Sequence, residues 1–353
     1  MRFLWAFLAW LALLTSVLLI AVTVVNPRRE FSGAKFPALQ LNTRQMKADR
    51  FDSVLVESPP TGVIIGSSRS MNLSPSDFES VTGERFFNFG VFGASIEDDL
   101  SIGRYVLATD RNVRSFVVGI DPQSFDSHLE PLAELRHNVR LSTARDGTIG
   151  NRWQSALITA RAYRDALTVA YLMDVIKSAR SAAHPPEASY AFDSLGVLHY
   201  PKADRERGSR TYDFKRHFTD CSAPQTTQFA SYDSLGASKR AMLDSLIAEA
   251  TAKGVRVILW TPPLNPGLSA AVRKDSTSGA NYDRALTYIH SLARPPIVVT
   301  VDNNDTSRLP NPDGWYDCMH FDSSNARTVS HLLANAVRDA NANANAAGVA
   351  TAR

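Results

Sequence analysis

The longest hydrophobic feature of the chain comes first. Phe3 to Val25 carries no charged residue and is almost wholly apolar. At 1.5 Å rise per residue, such a stretch exceeds the roughly 20 residues needed to cross a bilayer. A cleavable signal peptide has an apolar core of only about 7 to 15 residues, so the pattern predicts a transmembrane signal anchor over residues 1–26 that stays attached. Residues 27–60, rich in Pro, Arg, Lys and Ser, read as a stalk.

Beyond residue 60 the pattern changes to short, continuous apolar runs: Gly62–Gly66, Phe86–Phe89, Ser115–Ile120, Val255–Trp260 and Ile297–Val301. Runs of this length, dominated by apolar residues without alternation, are expected of strands buried on both faces of a parallel sheet. Helical periodicity lies between several of them. It is clearest over Ser238–Ala252, where Met242, Leu246 and Ile247 share a face and Gly254 follows as a stop. The alternation predicts an α/β three-layer sandwich with a central parallel sheet over residues 61–340, and such sheets place ligands beyond the C-terminal ends of their strands. From about 130 to 231 the rhythm breaks. One or two helices over Trp153–Ala183 and an aperiodic stretch from His184 to Ser231 read as an inserted helical cap, or as a tolerated surface excursion. The small residues of 341–353 can bury little and are expected to fray.

Composition changes this picture only slightly. With 353 residues, 44% hydrophobic and 21% charged, the chain is globular in type, and a net charge of +3 spread along it gives no nucleic-acid signature. Arg28, Arg29 and Lys35 behind the apolar segment outnumber Arg2 before it, a count that favours a cytoplasmic domain; large domains, however, translocate largely regardless of such charge. Cys221 and Cys318 are compatible with one disulfide joining the middle of the chain to a late loop, or with two free thiols. Neither has the spacing of a metal site, and no metal or cofactor is expected.

Four blocks carry candidate chemistry. Gly66-Ser67-Ser68-Arg69-Ser70 delivers serines at the end of the first strand, where a strand-to-helix turn would lift a hydroxyl above the sheet. Ser68 is the candidate nucleophile, Ser67 and Ser70 are its rivals, and a serine-rich helix cap is the bland reading. In Asn88-Phe89-Gly90-Val91-Phe92-Gly93, Gly93 would let the backbone approach a reacting carbonyl and offer its N–H to an oxyanion, together with the N–H of Ser68. Asp121 ends the third strand, either as a helix N-cap before Pro122 or as a polar group in the cleft. Last comes Asp317-Cys318-Met319-His320, whose acid three positions before the imidazole could orient it as the base for Ser68. Ser, Asp and His in this order supply a nucleophilic triad for acyl transfer.

These blocks, in this order over about Gly62 to His331, resemble those of the SGNH/GDSL hydrolase superfamily, and in particular its membrane-anchored cell-envelope branch, similar to proteins of alginate acetylation and lipoteichoic-acid D-alanylation. The resemblance implies a flavodoxin-like sheet and a serine esterase or O-acyltransferase with Ser68, His320 and Asp317 as catalytic residues. It also implies an acylated small molecule or polysaccharide as substrate, an extracytoplasmic site on the membrane, and a membrane acyltransferase as a further partner. Two positions depart from it. Ser67 stands where the family usually has Asp, and Ile120 stands where it has the Asn that donates a third oxyanion hydrogen bond. Asn88, or Asn265 in the loop after the fourth strand, could supply that donor. The missing Asn also suits a second expectation, a catalytically inactive glycan-binding or assembly protein on the same fold. A Rossmann site is excluded by the absence of Gly-x-Gly-x-x-Gly, and an α/β-hydrolase elbow by Ser70 in place of Gly.

Overall fold

The computed structural model describes residues 1–31, 35–184, 189–209, 211–302, 306, 309 and 311–346. In chain order its elements are α1 (Arg2–Val25), α2 (Thr43–Glu57), β1 (Gly62–Gly66), α3 (Pro75–Thr82), β2 (Phe86–Asn88), α4 (Ile96–Thr109) and β3 (Ser115–Gly119). A short 3₁₀ turn at Pro122–Phe125 precedes α5 (Ala133–His137), α6 (Val139–Arg145), α7 (Arg152–Ala166) and α8 (Val169–Ser181). Then follow β4 (Ala191–Phe192), β5 (Leu198–His199), α9 (Pro201–Gly208), α10 (Phe214–Ala230), α11 (Ala237–Ala252) and β6 (Arg256–Thr261). The chain closes through α12 (Pro266–Lys274), α13 (Ser276–Ser291), β7 (Val298–Asp302) and α14 (Ser323–Ala346).

Two compact units result. One joins the chain up to Asp49 with the segment from Leu132 through α8, and the other joins Arg50–Pro131 with everything from β4 onward. The expected single cap is therefore divided. Its first half folds with the N-terminal segment, and only its second half belongs with the sheet. The expected stalk is likewise structured, since α2 fills Thr43–Glu57 and buries Phe51 against Phe87, Phe89 and Tyr105 at ring distances of 5.3, 5.5 and 6.1 Å.

In the first unit, α1 is long and apolar enough to cross a membrane, and most of its large side chains lie exposed. Its last turn is the exception: Val22 and Val25 pack with Ala166, Tyr171 and Val175. Arg28 continues the attachment, donating from Nε and Nη2 to Asp174 at 3.0 and 2.8 Å.

The second unit holds a five-stranded parallel sheet in the order β2-β1-β3-β6-β7. Each strand lies within one or two residues of its expected run, because continuous apolar segments fit only where both faces are covered. Pairing aligns Asn88, Ile64, Val117, Ile258 and Val299 across the sheet. On this face Phe78 of α3 and Val329, Leu333 and Val337 of α14 complete the core with Ile64, Val117 and Ile258. The opposite face carries α4 and α11, which meet at Gly103, where any side chain would strike Leu246 and approach Phe116. Helices thus flank both faces. The reversal of strand order lies between β1 and β3, and a crevice opens beyond the carboxyl ends of strands at such a point. Helix α14 runs on to Ala346, six residues into the segment expected to fray, with Asn341 donating to Glu84 at 2.9 Å; residues 347–353 lie outside the described set.

Candidate active site

The loop after β1 opens with Gly66 at φ 141°, a conformation that favours glycine, and a side chain here would also run into Ser70 Oγ and the carbonyl of Gly119. Residues 67–70 then form a tight turn closed by Ser70 N donating to the Ser67 carbonyl at 2.8 Å. Helix α3 begins only at Pro75, and its cap is Ser74, which accepts from Asp77 N at 3.3 Å. The expected strand-to-helix turn is therefore a separate turn, and the serines at 67, 68 and 70 cap no helix. Burial separates the three. Ser67 is buried and accepts from Arg69 N at 3.3 Å, and Ser70 is wholly buried against the glycines; Ser68 alone is half-exposed.

Ser68 Oγ lies 2.8 Å from His320 Nε2. On the other side of the ring, His320 Nδ1 is 2.7 Å from Asp317 Oδ2, so a neutral imidazole donating to Asp317 presents its lone pair to the serine hydroxyl. The second Asp317 oxygen accepts from the amides of Met319 and His320 at 2.7 and 2.8 Å. Burial works against the charge on Asp317, but His320 and these two amides outweigh it and hold the carboxyl below the ordinary carboxylate range. Asp317 and His320 each retain 26% side-chain exposure, so the pair is reachable from solvent.

The loop that presents them is braced by five residues. Cys318, between the acid and the base, forms a disulfide with Cys221 of α10. The Cys318 carbonyl accepts from Asn265 N at 3.2 Å, Tyr212 Oη donates to the Tyr316 carbonyl at 2.5 Å, and Asn72 Nδ2 donates to the Phe321 carbonyl at 2.8 Å. Arg207 donates to the carbonyls of Trp315 and Asp313 and to Asp322. Burial, with Asp317 nearby, pushes the Tyr212 phenol up to about 12, which keeps it a neutral donor.

Three candidate supports fare differently. Asn88 is wholly buried, with Nδ2 donating to the carbonyls of Ser70 and Leu73 at 2.8 and 2.9 Å and Oδ1 accepting from Gly90 N. Both of its amide hydrogens hold the turn that carries Ser68, so none is left for an oxyanion. Asp121 occupies the N-cap position of the 3₁₀ turn before Pro122, but its side chain makes no capping bond and instead pairs with the buried guanidinium of Arg69. Asn265 caps α12 through Oδ1, which accepts from Gly267 N at 2.8 Å, and its backbone meets the Cys318 carbonyl. Gly93 is exposed at φ 55°, on the loop that leaves β2 through Val91 N donating to the Gly66 carbonyl at 2.9 Å.

Arg69 was not expected. Its Nε lies 2.8 Å from Asp121 Oδ1 and its Nη1 donates to the Pro262 carbonyl at 3.2 Å, so the residue after Ser68 ties together the ends of β1, β3 and β6. The signal available for it was an arginine set at the end of a strand otherwise buried throughout, where a charge requires a partner. No protein-family model matches the chain, and no curated protein does.

Proposed function

We propose that the protein is a membrane-tethered serine esterase or O-acyltransferase of the SGNH/GDSL kind, held by α1 with its sheet domain outside the cytoplasm. Its substrate in this reading is an acyl ester, acetyl-like in size, of an envelope glycan or a related molecule. The observation that carries the reading is the unbroken relay from Ser68 Oγ through His320 to Asp317, at 2.8 and 2.7 Å.

His320 Nε2 takes the Ser68 proton as Oγ attacks the acyl carbonyl, and the tetrahedral oxyanion forms against the amides of Ser68 and Gly93. His320 then protonates the departing alkoxide, leaving an acyl-Ser68 ester. Water or a second hydroxyl attacks that ester and passes its proton back to His320, and the serine is regenerated. Asp317 stays ionised throughout and stabilises the imidazolium that forms twice in the cycle. Ile120, where the resembled family has Asn, removes one oxyanion donor, which costs roughly 10²- to 10³-fold and slows the cycle without abolishing it.

The test is labelling of the full chain in detergent with a fluorophosphonate. The wild type is expected to label, and Ser68→Ala to remove the label. A label that persists in Ser68→Ala overturns the nucleophile, and a wild type that never labels favours a binding protein.

A further inference from the structure

Helix α8 is apolar on two sides. Tyr171, Val175 and Ser178 form its buried side, and the first two pack with Val22 and Val25 of α1. On the opposite side Val169, Met173 and Ile176, at i, i+4 and i+7, are 79, 49 and 43% exposed, and Leu167 just before the helix is 37% exposed. A surface helix surrounded by water needs one apolar stripe, the one that meets the core. A second stripe calls for a second apolar medium.

The attachments of α8 set its depth. At 1.5 Å per residue the 24 residues of α1 span roughly 36 Å, against roughly 30 Å of hydrocarbon, so its last turn stands at the edge of the acyl layer. Helix α8 keeps to this level along its length. Tyr171 and Val175 meet Val22 and Val25, Asp174 accepts from Arg28, the Arg28 guanidinium lies 5.0 Å from the centre of the Tyr171 ring, and Ser178 Oγ donates to the Pro37 carbonyl at 2.6 Å. Pro37 itself belongs to a segment bonded back to the end of α1, with Lys35 N donating to the Val24 carbonyl and Leu39 N to the Pro27 carbonyl at 3.4 and 2.8 Å. An apolar face left open at that level meets lipid.

Cations bracket this face. Arg164 lies three residues before Leu167, Lys177 and Arg180 lie one and four residues after Ile176, and all three are exposed. The acids of α7 and α8 are engaged by neighbours: Asp165 by His137 at 3.0 Å and Arg164 at 2.8 Å, and Asp174 by Arg28 at 2.8 Å. Residues 152–181 hold five Lys or Arg against these two acids, a positive surplus that suits anionic headgroups. We infer that α8 is an interfacial helix, which lays Val169, Met173 and Ile176 into the acyl boundary beside α1 while Arg164, Lys177 and Arg180 reach the phosphates of anionic lipids. This rests on α1 crossing the bilayer, as proposed above, and adds a second contact that fixes the tilt of the N-terminal unit on the membrane.

The test places single nitroxide labels on the full chain in lipid nanodiscs, with Cys221–Cys318 kept oxidised. Val169→Cys and Met173→Cys report on the face, Leu14→Cys on the middle of α1, and Gln154→Cys on the first turn of α7 as the aqueous control. All four positions are exposed, so folded variants are expected, and circular dichroism confirms it. Collision with oxygen, which concentrates in lipid, is compared with collision with a water-soluble nickel chelate, in discs of phosphatidylcholine with and without phosphatidylglycerol. Oxygen is expected to be favoured at 14, 169 and 173 and nickel at 154, with 169 and 173 shifted deeper when phosphatidylglycerol is present. Nickel favoured at 169 and 173 but not at 14 overturns the interfacial helix alone, and nickel favoured at 14 as well overturns the span on which it rests. Equal depth in the two lipids overturns the pairing with anionic headgroups. Line broadening at 169 that vanishes on dilution with unlabelled chain makes a second copy the cover and overturns the lipid contact. No reading needs turnover, so each outcome stands apart from fluorophosphonate labelling of Ser68.

Discussion

The wholly buried guanidinium of Arg69 pairs with the carboxylate of Asp121, so the residue after Ser68 is fastened to the end of the strand beside it. Two turns that must keep register for Ser68 to meet His320 therefore share one ion pair.

Removing one partner strands the other. Arg69→Met is expected to cost about 3–5 kcal/mol, the penalty of an uncompensated buried charge, whereas Arg69→Met with Asp121→Leu recovers much of it. Urea denaturation checks the stability. Turnover is expected to stay low in the double variant, because an apolar pair no longer fixes the Pro262 carbonyl.

Within the relay the losses are expected to be graded. Ser68→Ala removes on the order of 10⁶ in kcat, while Asp317→Asn, which leaves the imidazole in place with the wrong tautomer, removes about 10⁴. Aryl-acetate hydrolysis measures both, and equal losses would contradict the orienting role of Asp317.

Reduction of Cys221–Cys318 is expected to lower stability by about 2–5 kcal/mol, since the bridge closes a separation of 97 residues. The larger effect falls on rate. Cys318 stands between the acid and the base, and a displacement near 1 Å there costs about 10²-fold. Denaturation and kcat measured with and without reductant separate the two effects.

The N-terminal unit carries its own pH dependence. His137, with its side chain only 6% exposed, lies 3.5 Å from Glu30 Oε2 and 3.0 Å from Asp165 Oδ2; Glu30 first and Asp165 second raise its pKa against the opposing effect of burial. A raised folded pKa means that the stabilisation is fully present below the ordinary value of 6.5 and is lost as pH climbs through the raised value. Thermal unfolding is expected to show that decline above pH 6.5, and His137→Gln to flatten it.

What could be read from the chain, and what could not, follows from locality. The strands were legible because Gly62–Gly66 and Arg256–Thr261 are buried at every position, which leaves the first free of polar residues and the second with an apolar run from Val257 to Trp260. Asp317 and His320 were legible because their spacing is itself the geometry. Asn88 looked like a free donor, since nothing local says that its amide closes the turn of Ser70 and Leu73. Helix α2 was hidden because Arg44 and Lys47 give it the polarity of a stalk, although both are buried in the fold. The cap was misjudged for the same reason: which half of an insertion joins which unit is decided by distant partners, as when Leu195 accepts from Asn88 N.

Hydroxyl and imidazole come from positions 252 residues apart in the chain, on loops joined through elements of the first and last parts of the sheet domain. Synthesis delivers the serine 252 residues before the histidine. In the proposed reaction, a ribosome-bound or truncated polypeptide that stops short of residue 320 carries the Ser68 hydroxyl without the imidazole that would take its proton.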